Sequence, residues 1–519
     1  MAKKLQGSTR KRAISEKKGP EGGYDDNAKP TFVRKSLPTV NLESLMSWDV
    51  ALVLVLLVLS ALTRFYRIGH PAAVVFDEFH FYKFVAMYRK REHLFDIHPP
   101  LGKLILTLGG WLGGFNPDFD PSNIGKLYPS AEYYVPIRRT AALFGTVSVP
   151  ITYMISRELS MSQPVAFTSA FMILVDMLNL IESRLVLIDS QVITFSQMAL
   201  LCALVLWKQP PKSRSRLVML VVTGFVAGCA LAIKWTTLAT PGTIAIVSFF
   251  GCFLPRSRLS IAECIIAGAS GLFIYALSFY LHFKLSVYSG EGDPFMPRSF
   301  RETLIGSPLY KKETQRKSFL DLFVYLNKEM LRANSSIKTR HPWESKWFEW
   351  PLDLRGILYY TGTSDKKEVK MYLIGNPVVF LVCLVGTATF MVMLLYHLNN
   401  IRVETKTNTR NVLDATRVVL PHAWFGPALV LLGTYWLNLL PYILVERAAF
   451  LYHYIPGLFY ALLLTCLVID RLPVRVRNTL CFIICVGSLA AFMYWLPWVY
   501  ATPLTSAQQA ARELLPRWN

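Results

Sequence analysis

Phe76-Asp77-Glu78, then Phe95-Asp96-Ile97-His98-Pro99-Pro100-Leu101-Gly102-Lys103, follows directly after the first apolar run of the chain. Two adjacent carboxylates, an acid, a histidine and two prolines stand where a chain leaves a bilayer. Ionisable groups at that position serve solvation or work at the interface. Adjacent residues point apart on a strand and lie about 100° apart on a helix. Asp77 and Glu78 are therefore expected to do different jobs. One could take a proton from an acceptor hydroxyl; the other could pair with a nearby Arg or orient the loop. Two solvated loop acids are the plainer alternative. Asp96 and His98 precede a Pro-Pro pair that disfavours helix before it, so a turn accounts for them equally well.

Working outward, the chain of 519 residues is 53% hydrophobic, with a mean hydropathy of +0.35. Apolar runs near span length recur along most of it, the pattern of an all-α polytopic membrane protein. Eleven spans are expected, roughly at 50–64, 137–156, 164–181, 185–207, 217–233, 236–254, 260–283, 371–397, 418–440, 448–469 and 479–500. Residues 1–47 are polar and basic and read as a disordered cytosolic tail. The net charge of +21 lies largely in that tail and in short loops on one side, such as Lys208, Lys212, Arg214 and Arg216, or Arg471, Arg475 and Arg477. This is the positive-inside pattern, not a nucleic-acid footprint. The transmembrane domain then covers 48–500. Two long segments, 65–136 and 284–370, share the far, lumenal side with a C-terminal tail at 501–519. Leu101–Phe115 is too short and glycine-rich to span and reads as an interfacial helix. Asn334-Ser335-Ser336 is a glycosylation sequon on the lumenal side.

Five cations, Arg64, Arg138, Arg184, Lys234 and Arg447, fall near the lumenal boundary. Snorkelling explains any one of them. Five on that side run against the positive-inside trend, and cations at headgroup depth could hold a lipid phosphate, Arg by a fork of donors and Lys as a point charge. Glu182, Arg184 and Asp189 surround the turn between the third and fourth spans, where Glu182 and Arg184 could pair. His453, between Tyr452 and Tyr454, is a polar group that needs a partner; it is a satisfied core histidine or lines a headgroup cavity. The eight cysteines all fall in apolar spans and read as small apolar side chains. No Walker loop, dinucleotide fingerprint, zinc-type His pair or nucleophile elbow is present. No cofactor and no metal are expected.

The run from Phe76-Asp77-Glu78 to Lys103 resembles the first lumenal loop of protein O-mannosyltransferases. Further stretches are similar in the same order: Arg138, Ser183-Arg184 through Leu187-Ile188-Asp189-Ser190, Ile233-Lys234-Trp235, Ser289-Gly290-Glu291-Gly292-Asp293-Pro294-Phe295-Met296, His341-Pro342, Trp350-Pro351-Leu352, Gly375-Asn376-Pro377 and Tyr452-His453-Tyr454-Ile455-Pro456. The likeness covers roughly 48–500. It implies a GT-C fold with eleven spans in the endoplasmic reticulum membrane. It implies dolichyl phosphate mannose as donor, Ser or Thr of a secretory protein as acceptor, and a homo- or heterodimer with a related subunit. It implies Asp77 as catalytic base, Glu78 as its support, and Arg138 and Lys234 near the lipid phosphate, joined by Arg64 or Arg447. His98, Asp96, Arg184 and His453 are further site candidates. One departure stands out. Eukaryotic members usually carry a β-trefoil MIR domain between the seventh and eighth spans. Here Phe295–Leu304 passes within a few residues to Lys317–Asn334, with no room for it. Two alternatives remain: a GT-C mannosyltransferase acting on a lipid-linked glycan or glycolipid, and a polytopic transporter or scaffold. The second is disfavoured because no internal repeat is visible.

Overall fold

The computed structural model describes residues 48–254, 256–407 and 422–518. The basic stretch 1–47, with its expected disorder, and the loop residues Arg410 and Arg417 lie outside them. In chain order the helices are α1 (Trp48–Phe65), α2 (Glu78–Lys90), α3 (Leu101–Leu112), α4 (Val135–Glu158), α5 (Gln163–Val175), α6 (Met177–Glu182), α7 (Asp189–Lys208), α8 (Arg214–Ile233), α9 (Ala239–Phe250), α10 (Ile261–Leu285), α11 (Arg298–Arg301) and α12 (Phe319–Ser336). A hairpin follows, β1 (Ile357–Ser364) and β2 (Lys367–Leu373). Then come α13 (Pro377–Thr407), α14 (Phe425–Leu439), α15 (Ile455–Ile469), α16 (Val474–Val499) and α17 (Ser506–Ala510).

Each expected span corresponds to a helix. Among the described residues eight helices are long and apolar enough to cross a membrane. The other three are α4, which is long but charged at both ends, and the shorter α5 and α9. The helix ends alternate between two faces. At one face Asp49 of α1 pairs with Arg157 of α4 at 3.2 Å and accepts from Gln163 of α5 at 3.3 Å. At the other, Arg64 donates to the carbonyls of Ile173 and Leu174. The middle of the bundle is α15, buried along nearly its whole length and packed between α13 and α14. Helices α8 and α10 meet where neither has a bulky side chain: a Cβ on Gly224 would lie 2.0 Å from the Ala267 carbonyl oxygen. A capping box starts α10, with Ser260 and Glu263 each bonding the other's backbone.

Three of the differences from expectation have a local reason. The span expected at 164–181 breaks at Asp176. Its backbone is extended, and its carboxylate caps α6 through the Asn179 N–H at 3.0 Å. The span expected from 371 begins at Pro377, because 367–373 is β2. Asn376 fastens that junction by donating to the Val175 and Ser488 carbonyls at 3.1 and 2.8 Å. The expected tail 501–519 is folded. Leu504 pairs with Glu368 of β2, Lys370 bonds Glu513 at 2.9 Å, and the Trp518 indole donates to the Asp353 carbonyl at 2.8 Å. The interfacial helix stands as expected: α3 buries Lys103 and Leu106 and exposes Leu108, Trp111 and Leu112.

Candidate active site

Asp77 and Glu78 open α2, and they do diverge. Glu78 turns into the protein and is fully buried. Its carboxylate accepts from the N–H groups of Val75 and Val186 at 3.0 and 2.9 Å, and from Arg138 through two bonds of 2.7 Å. Asp77 faces a small cavity of about 40 Å³, lined also by Phe81, His98, Glu182, Leu187, Asp189, Lys234, Tyr359 and Tyr452. Its carboxylate has no hydrogen bond or ion pair with any described residue. The residue before it, Phe76, holds a left-handed backbone (φ 41°). A bulky residue pays strain there, and the surroundings fix it. Its ring stacks on Tyr359 at 4.4 Å, and its N–H donates to the Tyr359 carbonyl at 3.2 Å.

The cavity is rich in acids. Asp189 pairs with Lys234 at 3.0 Å, and Glu182 accepts a short bond from the Tyr359 hydroxyl. Burial lifts the Asp77 carboxyl first, the Asp189 charge adds to it and Lys234 opposes, leaving Asp77 at about 7. Burial and then Asp189 raise Glu182 well above the ordinary carboxylate range. His98 is pushed down to about 3 by burial, so its imidazole is neutral.

A second, larger groove of about 740 Å³ lies beside the cavity. Trp235, Leu238, Gly242 and Ile246 form one wall along α9, and Arg447 and His453 stand on the other side. Arg447 is half-buried and makes no ion pair or hydrogen bond with the described residues, while its charge depresses His98 across the boundary between the two spaces. The groove is largely apolar, with Arg447 and its neighbour Glu446 among its lining residues, and it lies next to an unpartnered carboxylate raised to about 7.

Several expected site residues are placed elsewhere. Arg138 is not free to hold a phosphate. It is fully buried, and its five N–H donors are spent on Glu78 and on the carbonyls of Ile68, Pro71 and Ala73. Arg64 is buried against the Ile173 and Leu174 carbonyls. Arg184 donates to the carbonyls of Thr63, Arg64, Tyr66 and Arg67 and lies 4.5 Å over the Tyr500 ring, rather than pairing with Glu182. These three cations tie loops to helix ends. Asp96 is bonded to Lys103 at 2.6 Å; Lys103 also donates to the His98 and Pro99 carbonyls, which fixes the loop that presents His98. His453 stacks on Tyr452 at 4.5 Å and lines the groove. Asn334 sits in the last turn of α12 and lines it too. Tyr359 was missed, although the run Ile357-Leu358-Tyr359-Tyr360-Thr361 carries the aromatic and β-branched residues of a strand.

Two family models match most of the chain: Dolichyl-phosphate-mannose-protein mannosyltransferase over residues 54–286, and the C-terminal four TMM region of protein-O-mannosyltransferase over 319–518. The chain belongs to the protein O-mannosyltransferase family. It is 34% identical over 273 residues to Protein O-mannosyl-transferase 1 of Rattus norvegicus, covering 50% of this chain and 36% of that one. It is 28% identical over 305 residues to Dolichyl-phosphate-mannose--protein mannosyltransferase 4 of Saccharomyces cerevisiae, covering 56% and 40%. The matched part thus spans about two fifths of these relatives or less. The fold resembles a chain of the S. cerevisiae protein O-mannosyltransferase Pmt1-Pmt2 complex bound to the sugar donor, with a TM-score of 0.80 at 19% identity over 92% of this chain and 93% of that one. The chain is a multi-pass membrane protein with the GT-C fold. The 33 residues between α10 and α12 hold only short helical turns, with no β-trefoil among the described residues.

Proposed function

We propose that this protein transfers mannose from dolichyl phosphate mannose to Ser or Thr hydroxyls of secretory-pathway polypeptides. The observation that carries this reading is the unpartnered Asp77 carboxylate, set in one cavity with Lys234 beside the groove that holds Arg447. Asp77 accepts the proton of the acceptor hydroxyl. The oxygen bonds to the anomeric carbon as the bond from that carbon to the phosphate oxygen breaks, and dolichyl phosphate leaves with the electron pair. A single displacement inverts the β-linked donor to an α-mannoside. A base near neutral pKa suits proton transfer at neutral pH. Arg447 and Lys234 offset the charge on the departing phosphate; such preorganised groups supply a large share of many rate enhancements. Arg447 takes over the phosphate role expected of Arg138. The apolar wall along α9 suits the lipid chain. The neutral His98 lies on the same cavity and fits the sugar or the acceptor.

The site residues, the absence of a cofactor or metal requirement and N-glycosylation of Asn334 all belong to this proposal. So do residence in the endoplasmic reticulum, a cytosolic N-terminus, a lumenal C-terminus and pairing with a related subunit. The similarity to dolichyl-phosphate-mannose–protein mannosyltransferases supports the donor and the reaction, and the likeness to a chain of the yeast Pmt1-Pmt2 complex supports the pairing. The test is an assay of purified protein with labelled dolichyl phosphate mannose, offering a Ser/Thr peptide in one arm and a glycolipid in the other. Label in the peptide supports the reading; label only in the glycolipid overturns the acceptor class. An endoglycosidase-sensitive gel shift that vanishes in Asn334→Gln tests the sequon.

A further inference from the structure

The β1–β2 hairpin has one covered edge and one open one. Asp365 and Lys366 form its two-residue turn, both left-handed (φ 51° and 63°), and Ser364 faces Lys367 across it. A two-residue turn of this kind makes that facing pair a hydrogen-bonded one. Bonded pairs alternate along an antiparallel ladder, so Gly362–Val369 and Tyr360–Met371 are bonded too. Thr361 and Thr363 consequently turn their N–H and C=O groups away from β2. Both residues are exposed, and no described group bonds to either. The far side of the hairpin is closed, because Glu368 of β2 exchanges bonds of 2.9 Å with Leu504.

Inward of Thr361 the edge is closed by Phe76 and reaches Tyr359, which lines the cavity that Asp77 faces. The Tyr359 carbonyl accepts from the N–H of Phe76, the residue before Asp77, and the Tyr359 side chain lines the same cavity. From Tyr359 to Thr363 the edge runs about 13 Å, at roughly 3.3 Å per residue. Asp365, Lys366, Lys367 and Glu368 crowd its outer end. Charges there discourage two copies of the hairpin from pairing with each other.

We infer that the outer edge of β1 is the docking strand for the acceptor: an extended polypeptide pairs its backbone with Thr361 and Thr363 and so brings a hydroxyl to Asp77. This rests on the reading of the site as a protein glycosyltransferase. Added-strand recognition takes its affinity from main-chain bonds. It places little demand on the acceptor's side chains beyond the hydroxyl itself.

The test uses full-length protein in lipid nanodiscs and a fluorescent Ser/Thr peptide, reading peptide affinity by anisotropy and mannose transfer by label. Thr361→Pro and Thr363→Pro remove the outward N–H, with the alanine variants controlling for the lost Thr side chain; proline is tolerated on the open side of an edge strand. Each is expected to weaken peptide affinity about tenfold or more relative to the corresponding alanine variant, with the melting temperature reporting folding. Should the proline variants not fold, wild-type protein with N-methylated peptides gives the answer. Methylation of alternate residues is expected to weaken binding with a period of two. Transfer to peptide with no periodic loss overturns the docking strand and leaves the transferase reading intact. Periodic, tight binding without transfer overturns the transferase reading and leaves the docking strand. A peptide that neither binds nor accepts label overturns both.

Discussion

Asp77→Asn changes one atom type at the centre of the site and makes two independent demands. The first is kinetic. Asn cannot take the hydroxyl proton, and general-base help is worth on the order of 10²–10⁴ in rate, so kcat/KM for the peptide is expected to fall by that factor. The wild-type pH profile carries the same information. Asp77 titrates at about 7, so activity is expected to rise with pH through neutrality as the carboxylate forms. The second demand is on stability. Burial raises Asp77 from 3.8 to about 7, so the folded state holds a proton that the unfolded chain has released. Stability from this group is complete below pH 3.8 and is lost as pH rises to about 7. At 1.36 kcal/mol per unit the loss reaches on the order of 4 kcal/mol when Asp77 is fully ionised, an upper limit because the cavity is open to water. Asn carries no such cost. The variant is therefore expected to melt a few degrees above wild type in detergent at about pH 8, with the gap closing toward about pH 4. Label transfer at graded pH and paired melting curves check both. Turnover within tenfold of wild type, or a flat wild-type profile between about pH 5 and pH 8, would refute the base assignment. A variant that melts below wild type at every pH would refute the burial argument.

Three further outcomes follow from the site. Arg447→Gln is expected to raise the Kd for the lipid donor about 10–100-fold, the range for losing a charged hydrogen bond, while peptide affinity holds; equal donor titrations would remove Arg447 from the phosphate site. Arg138→Met leaves Glu78 buried and unpaired and is expected to destabilise the protein by about 3–5 kcal/mol. It should show as poor accumulation and early melting; a well-folded variant with only a donor defect would restore Arg138 to the phosphate. Turnover is expected to survive exhaustive chelation, since Lys234 and Arg447 balance the leaving charge; activity lost to a chelator and regained with a divalent ion would overturn the side-chain account.

The helical frame was legible because its signals are long and additive. Runs of apolar residues near span length, with basic loops on alternate sides, placed a helix at each expected span, although α13 runs well past its expected end, α15 starts later than expected, and helices between spans such as α2 and α12 carry no such run. The interruption at Asp176 was not, because a capping acid inside an apolar run looks the same in sequence whether it breaks the helix or faces a partner. The divergence of Asp77 and Glu78 followed from backbone geometry alone, and it held: one carboxylate meets the cavity, the other Arg138. The cations misled. A guanidinium at the membrane boundary satisfies itself equally well on a phosphate or on a ring of backbone carbonyls, and sequence position does not distinguish them. Arg64, Arg138 and Arg184 all took the carbonyls. Tyr359 escaped notice because its strand is short and lies in a long segment between spans. Its turn, Asp365-Lys366, lacks the glycine that marks most such hairpins.

The strap formed by the end of the chain has a practical bearing on how the protein can be handled. Leu504 zips onto the back of the hairpin, and Trp518 is plugged in beneath the turn at Asp353. Those residues back β2, the partner of the strand that carries Tyr359, one wall of the chamber where bond-making is proposed to happen. Shearing the chain off ahead of Leu504 would leave that wall unsupported, and a bulky fusion anchored next to Trp518 would pry at the same joint.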